Sequence, residues 1–206
     1  MIPRFVEWML IASVRLLSGA QARWPPSTPS GNTGIHQCIY IANHASHLDA
    51  LLLLSSLPAR LRRRTRPVAA ADYWTAGSVR RYLIRFIFRA VLVERECSQF
   101  NPLEPLAHAL RAGDSLIFFP EGTRGPGGTL QPLRRGIFHL ARWFPHVDIV
   151  PAWIDNSYRV LPKGFTIPLP LLCSITFGTP LRWKEGQSQP EFLAEVRRSL
   201  ESLQPQ

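Results

Sequence analysis

Asn43-His44-Ala45-Ser46-His47-Leu48-Asp49 is the stretch that decides how the chain reads. It directly follows the apolar, β-branched run Cys38-Ile39-Tyr40-Ile41-Ala42, which reads as a buried strand. It opens onto Ala50-Leu51-Leu52-Leu53-Leu54, which reads as a buried helix. Ser46 and Asp49 stand at capping-box spacing, placing Ser46 at the N-cap and Asp49 as the third helical residue. His44 then lies in the turn. Side chains on a helix lean toward its N-terminus, so Asp49 can reach back toward His44. A carboxylate that orients an imidazole makes a general base. The plainer reading is that Asp49 only caps its helix and His44 is only a turn histidine. His47 is the rival base; as the first helical residue it is expected to face solvent.

Outward from this unit, strands and helices alternate. Pro67–Ala71, Val91–Val93, Ser115–Phe119, Asp148–Ile154 and Cys173–Phe177 read as further strands. Tyr73–Phe88, Asn101 to about Gly113, Ile137–Trp143 and Pro190–Leu203 read as helices. Pro151, inside the fifth strand, argues for an edge position or a bulge. The alternation predicts an α/β fold: a single domain with a largely parallel central sheet flanked by helices. Residues 35–206 form this domain. Residues 1–34 precede it as an amphipathic helix (2–18) and a linker rich in proline and glycine.

The 206 residues suffice for one sizeable core. The formal charge is +10, and 22 of the 24 basic residues are arginine, which suits bidentate contacts to phosphate. The expected partners are therefore anionic, and the run Arg60, Arg62, Arg63, Arg64 and Arg66 suits anionic lipid head groups. No nucleic-acid motif appears. Cys38, Cys97 and Cys173 are odd in number and sit in apolar settings, so buried reduced thiols are expected rather than disulfides or a metal site. The 2–18 helix is broadly apolar, but Glu7 and Arg15 make it too short to span a bilayer. It reads equally as an interfacial helix on a membrane and as a helix packed on the domain's own core.

Sites in open α/β sheets gather beyond the carboxyl ends of the strands. His44, Arg95 and the turn Glu121-Gly122-Thr123-Arg124 each follow a different strand, so one rim can hold all three. A histidine base beside arginines suits a substrate with a hydroxyl and a phosphate. Arg95, Arg124 and either Arg134 or Arg135 would hold the phosphate, unless Glu121 simply pairs with Arg124.

Four ordered motifs resemble those of the glycerolipid acyltransferases, and among them the bacterial 1-acyl-sn-glycerol-3-phosphate acyltransferases. They are Asn43-His44-x-Ser46-x-x-Asp49, Arg95 after its strand, Phe119-Pro120-Glu121-Gly122-Thr123-Arg124, and Val150-Pro151. Ala90 and Trp153 depart from the glycine and the small aliphatic residue usual there. The resemblance implies acyl transfer from acyl-CoA or acyl-carrier protein to lysophosphatidic acid. His44 would be the base and Asp49 its partner, with Glu121, Gly122, Thr123, Arg95 and Arg124 on the acceptor. A thioester is already activated, so no metal or cofactor is expected. The family acts at membranes, so the resemblance implies a peripheral or monotopic protein at an anionic surface, the cytoplasmic face of the inner membrane. Other readings are another lysolipid or glycerol 3-phosphate as acceptor, or a non-catalytic basic membrane-binding protein.

Overall fold

The computed structural model describes residues 2–19, 21–25, 37–71, 77, 81–82, 84–85, 88–94, 101–157 and 172–205. Among them, one sheet holds β1 (Gln21–Arg23), β2 (Cys38–Ala42), β3 (Thr65–Ala70), β4 (Val91–Val93), β5 (Ser115–Phe118), β6 (Asp148–Asp155) and β7 (Ser174–Phe177). The order across it is β1-β7-β6-β2-β5-β3-β4, and every pairing is parallel except β6 with β7. Parallel neighbours need crossover connections. The helices are α1 (Ile2–Ser18), α2 (Asp49–Ser56), α3 (Ala59–Arg62), α4 (Glu104–Arg111), α5 (Gly136–Trp143) and α6 (Gln189–Glu201). The expected α/β architecture with a largely parallel sheet is the one found. Of the expected Tyr73–Phe88 helix, most lies outside the described residues, as do Arg95 and Cys97.

All five residues of β2 are buried, as its continuous apolar run requires of a central strand covered on both faces. On one face, Leu106 and Leu110 of α4, Ile137 and Leu140 of α5, and Phe192, Val196 and Leu200 of α6 pack on Ile39, Ile41, Leu116 and Ile149. On the other, Leu52, Leu53 and Leu54 of α2 and Ile11 of α1 pack with Tyr40, Ala42, Val150, Ile154, Ile175 and Phe177. Each fully buried side chain of this kind contributes about 1.5–3 kcal/mol. Cys38 and Cys173 are buried thiols outside any disulfide, and burial pushes both up to about 11.

Of the edge position or bulge expected for Pro151, the bulge is the one found: β6 is not an edge strand but lies between β2 and β7. The ladder to the returning chain pairs Ile149 with Leu181 but Ala152 with Phe177, so that chain carries one extra residue beside Pro151. Gly178 N–H donates to the Pro151 carbonyl there at 2.8 Å, and the missing proline N–H breaks no regular pair. One local expectation does change, at β1, a strand within the stretch read as a linker. Its three exposed residues carry no alternation, and what holds them is parallel pairing to β7.

One face of α1 packs on the domain's own core, one of its two expected readings. Ile11 is buried against α2, and the Arg15 guanidinium donates twice to the carbonyl of Ser55 in the last turn of α2. The opposite face leaves Phe5, Trp8, Met9 and Leu16 exposed, Trp8 at 64% and Leu16 at 86%. Among the described residues no helix is long and apolar enough to cross a membrane.

Candidate active site

β2 and β5 are parallel neighbours, with Ile41 opposite Phe118, so the turns that follow them leave the same end of the sheet. The turn after β2 begins with Asn43, whose buried side-chain amide donates to the Ile154 carbonyl (2.9 Å) and accepts from the Ile154 N–H (2.7 Å). It thus imitates one more residue of strand pairing with β6, and fixes where the turn starts.

His44 follows. Its Nδ1 lies 2.8 Å from Asp49 Oδ2. The same oxygen accepts the backbone N–H groups of Ala45 (2.7 Å) and Ser46 (2.8 Å). Asp49 has 0% exposure, and its Oδ1 has no partner. The capping reading and the imidazole-orienting reading therefore describe one carboxylate performing both jobs. The helix start differs from the expected one: Leu48 is the N-cap and Asp49 the first helical residue. The Asp49 N–H reaches back to the Ser46 carbonyl at 3.3 Å, a tight turn that delays the α-helix and aims Asp49 at His44. Five residues apart on a regular helix, these side chains would diverge.

The imidazole stacks on Phe119 at 4.1 Å between ring centroids, with planes 16° apart. With Nδ1–H held by Asp49, Nε2 is left with its lone pair, and the ring is partly exposed. His47 is exposed, as expected.

Glu121 is placed differently from the expectation of a substrate contact or an Arg124 ion pair. It is 2% exposed, and one carboxylate oxygen accepts the His44 N–H at 2.6 Å while the other accepts the Gln131 N–H at 2.8 Å. Burial raises its carboxyl above the ordinary value, against the lowering pull of those two N–H donors. The Gly125 N–H donates to the His44 carbonyl at 2.8 Å. The second turn therefore grips the backbone of the first at both its N–H and its C=O.

Gly122 has φ of +70°, and a Cβ there would meet the Arg134 side chain at 2.7 Å. Arg134 lies across this turn, with its N–H on the Pro120 carbonyl (2.8 Å) and its Nε on the Glu121 carbonyl (3.3 Å). Thr123 and Arg124 are exposed, and no carboxylate pairs with Arg124 among the described residues. β4 runs parallel to β3 and thus ends on this same rim, while Arg95 beyond it lies outside the described residues.

The N–H groups of His44, Ala45 and Ser46 all end on carboxylates, so none faces outward. The sequence reading left four participants without roles: Asn43, Phe119, Gly125 and Gln131. Asn43 and Phe119 stood inside the quoted motifs. Gln131 carried no signal, because only its backbone is used.

A model of the acyltransferase family matches residues 27–155. The chain is 30% identical over 148 residues to human (Homo sapiens) 1-acyl-sn-glycerol-3-phosphate acyltransferase alpha, covering 69% of this chain and 47% of that protein. It is 32% identical over 147 residues to the 1-acyl-sn-glycerol-3-phosphate acyltransferase of Limnanthes alba, covering 64% and 48%. It spans about half the length of these relatives. The crystal structure of the 1-acyl-sn-glycerophosphate acyltransferase PlsC from Thermotoga maritima matches with a TM-score of 0.74 over 98% of this chain and 79% of that one. At 20% identity, this likeness speaks for the fold. With a family model over most of its length and four motifs in the family's order, the chain belongs to the glycerolipid acyltransferase family.

Proposed function

We propose that the protein transfers a fatty acyl group from the thioester of acyl-CoA or acyl-carrier protein to the free hydroxyl of lysophosphatidic acid. The product is phosphatidic acid, a step of phospholipid biosynthesis. The observation that carries this is the His44 Nδ1 to Asp49 contact, which leaves Nε2 open at the sheet's carboxyl rim.

In this reading the acceptor hydroxyl gives its proton to His44 Nε2 while its oxygen bonds to the thioester carbonyl carbon. Asp49 favours the imidazolium that forms. The carbonyl electrons become an oxyanion. Its collapse breaks the C–S bond, and the thiolate takes the proton back from Nε2 and leaves as a thiol. Among the described residues the N–H groups of Thr123 and Arg124, in the exposed part of this turn, have no acceptor and serve as donors to the oxyanion. Arg124 and Arg95 hold the acceptor phosphate, and Arg134 is near enough to the turn to assist. The exposed apolar face of α1 lies in the membrane surface, from which the lysolipid is drawn.

The test is thiol release from acyl-CoA or acyl-carrier protein across a panel of acceptors. Release that depends on lysophosphatidic acid supports the proposal. Release with glycerol 3-phosphate alone would move the acceptor, and no acceptor-dependent release would end the reading. For the membrane part, sedimentation with vesicles should fall in Phe5→Ser/Trp8→Ser while thermal stability stays unchanged.

A further inference from the structure

Among the described residues the sheet ends at β4, and beside this strand lies a cavity of about 650 Å³. Its apolar floor is Ile84, Ala90, Val91, Leu92 and Pro105, and five basic groups ring it: Arg66, Arg81, Arg85, Arg89 and His108. Two of these guanidiniums are anchored. Arg66 Nε donates to the Arg89 carbonyl at 2.7 Å, and Arg89 Nη1 donates to the Arg63 carbonyl at 3.0 Å. Asp114 pairs with Arg66 at 3.1 Å, and among the described residues no acidic side chain lines the cavity.

Charges at a sheet edge commonly block the addition of another strand. That job needs charge, but neither a concave apolar floor nor guanidiniums held on backbone carbonyls. Ordered arginine forks around a small cavity match phosphate oxygens, and the floor matches an apolar body attached to them.

We infer that this cavity is a second binding site, separate from the His44 site, for the phosphoester end of an amphiphilic ligand. Two sources share that chemistry: the nucleotide end of a coenzyme A thioester and the head group of an anionic phospholipid. The first is within reach. Val91 pairs with Val68, and Pro67 and Tyr40 flank Ile117, so Val91 is level with Ile41. From there to His44 is three strand spacings across and three residues along, about 17 Å in all. The extended diphosphate and pantetheine arm spans about 20 Å, at roughly 3.5 Å per three backbone bonds. The coenzyme A source rests on the acyl-transfer reading.

The full chain and its Arg81→Glu/Arg85→Glu variant are titrated calorimetrically with coenzyme A. Both are also sedimented with phosphatidylcholine vesicles, with and without phosphatidylglycerol. An Arg142→Glu/Arg198→Glu variant, with the same charge change on exposed arginines outside the cavity, is the control. The expected result is about a tenfold or greater loss of affinity for one probe, confined to the cavity variant. A loss for coenzyme A assigns the site to the donor, and a loss for phosphatidylglycerol vesicles assigns it to lipid. Unchanged binding of both probes, or equal loss in the control, overturns the proposal. Arg85→Gln repeats the test if the double reversal fails to fold. Lysophosphatidic acid-dependent thiol release by the wild type judges acyl transfer separately: its absence would remove that reading and leave the binding result standing.

Discussion

The turn after β2 and the turn after β5 meet at one rim, yet they are built on opposite plans. In the first, the side chains of Asn43 and Asp49 are buried and engaged with backbone, and every N–H from His44 to Ser46 has an acceptor. In the second, Glu121 points inward while Thr123 and Arg124 stand exposed. Chemistry that moves a proton needs fixed geometry, and a lipid head group that enters and leaves needs open cations. In the proposed reaction, catalysis falls to the closed turn and acceptor binding to the open one, with Glu121 as the tie between them.

His44→Ala should test this division most severely. The expected loss is on the order of 10²–10⁴ in kcat, with an unchanged melting temperature, while His47→Ala keeps most activity. A dead His47→Ala beside an active His44→Ala would reverse the assignment. Asp49→Asn should come next. Its amide cannot favour the imidazolium, and it offers an N–H₂ where acceptors are needed. Both kcat and stability should fall, and near-normal turnover would reduce Asp49 to a cap.

Glu121→Gln separates tie from substrate contact. Glutamine can accept one of the two N–H groups and leaves the other facing an amide nitrogen, a cost of about 1–3 kcal/mol in stability. Steady-state kinetics should show a lower kcat with the acceptor KM little changed. A raised acceptor KM at constant kcat would mean that Glu121 meets the substrate after all. The pH dependence follows from the same burial. The carboxyl is raised above its ordinary 4.5, so the stability it lends is full below that value and is lost as pH rises through the raised one. The melting temperature of wild type relative to Glu121→Gln should therefore decline as pH rises above about 4.5. A difference that grows over the same range would contradict the raised carboxyl. Arg124→Ala is expected to have the smallest effect. Its contacts persist from ground state to transition state, so the acceptor KM rises while kcat holds, and Arg124→Lys restores part of the affinity. Lower thermal stability without a KM change would make Arg124 structural.

What was legible beforehand followed from local pattern. The run Cys38–Ala42 is apolar at every position, so burial on both faces could be read directly, and the motif spacing placed His44 within reach of Asp49. The inward turn of Glu121 was not legible, because its partners are the backbone N–H groups of residues 44 and 131, which leave no mark on residue type. Pro151 pointed to an edge or a bulge, and the choice between them was not legible for a similar reason: the bulge depends on a register step contributed by residues 178–181. β1 was invisible because three residues carry too little pattern, and pairing with a strand some 150 positions later defines them.

The Asn43 bonds to Ile154 join positions 111 residues apart. As the chain leaves the ribosome from its N-terminus, His44 and Asp49 are present early, but the amide that seats their turn has nothing to hold until β6 has formed. Long-range pairings of this kind are closed late, after the entropy of the intervening loop has been lost. Nascent or truncated chains that stop short of residue 154 should therefore carry the whole motif and still be inert in the proposed acyl transfer.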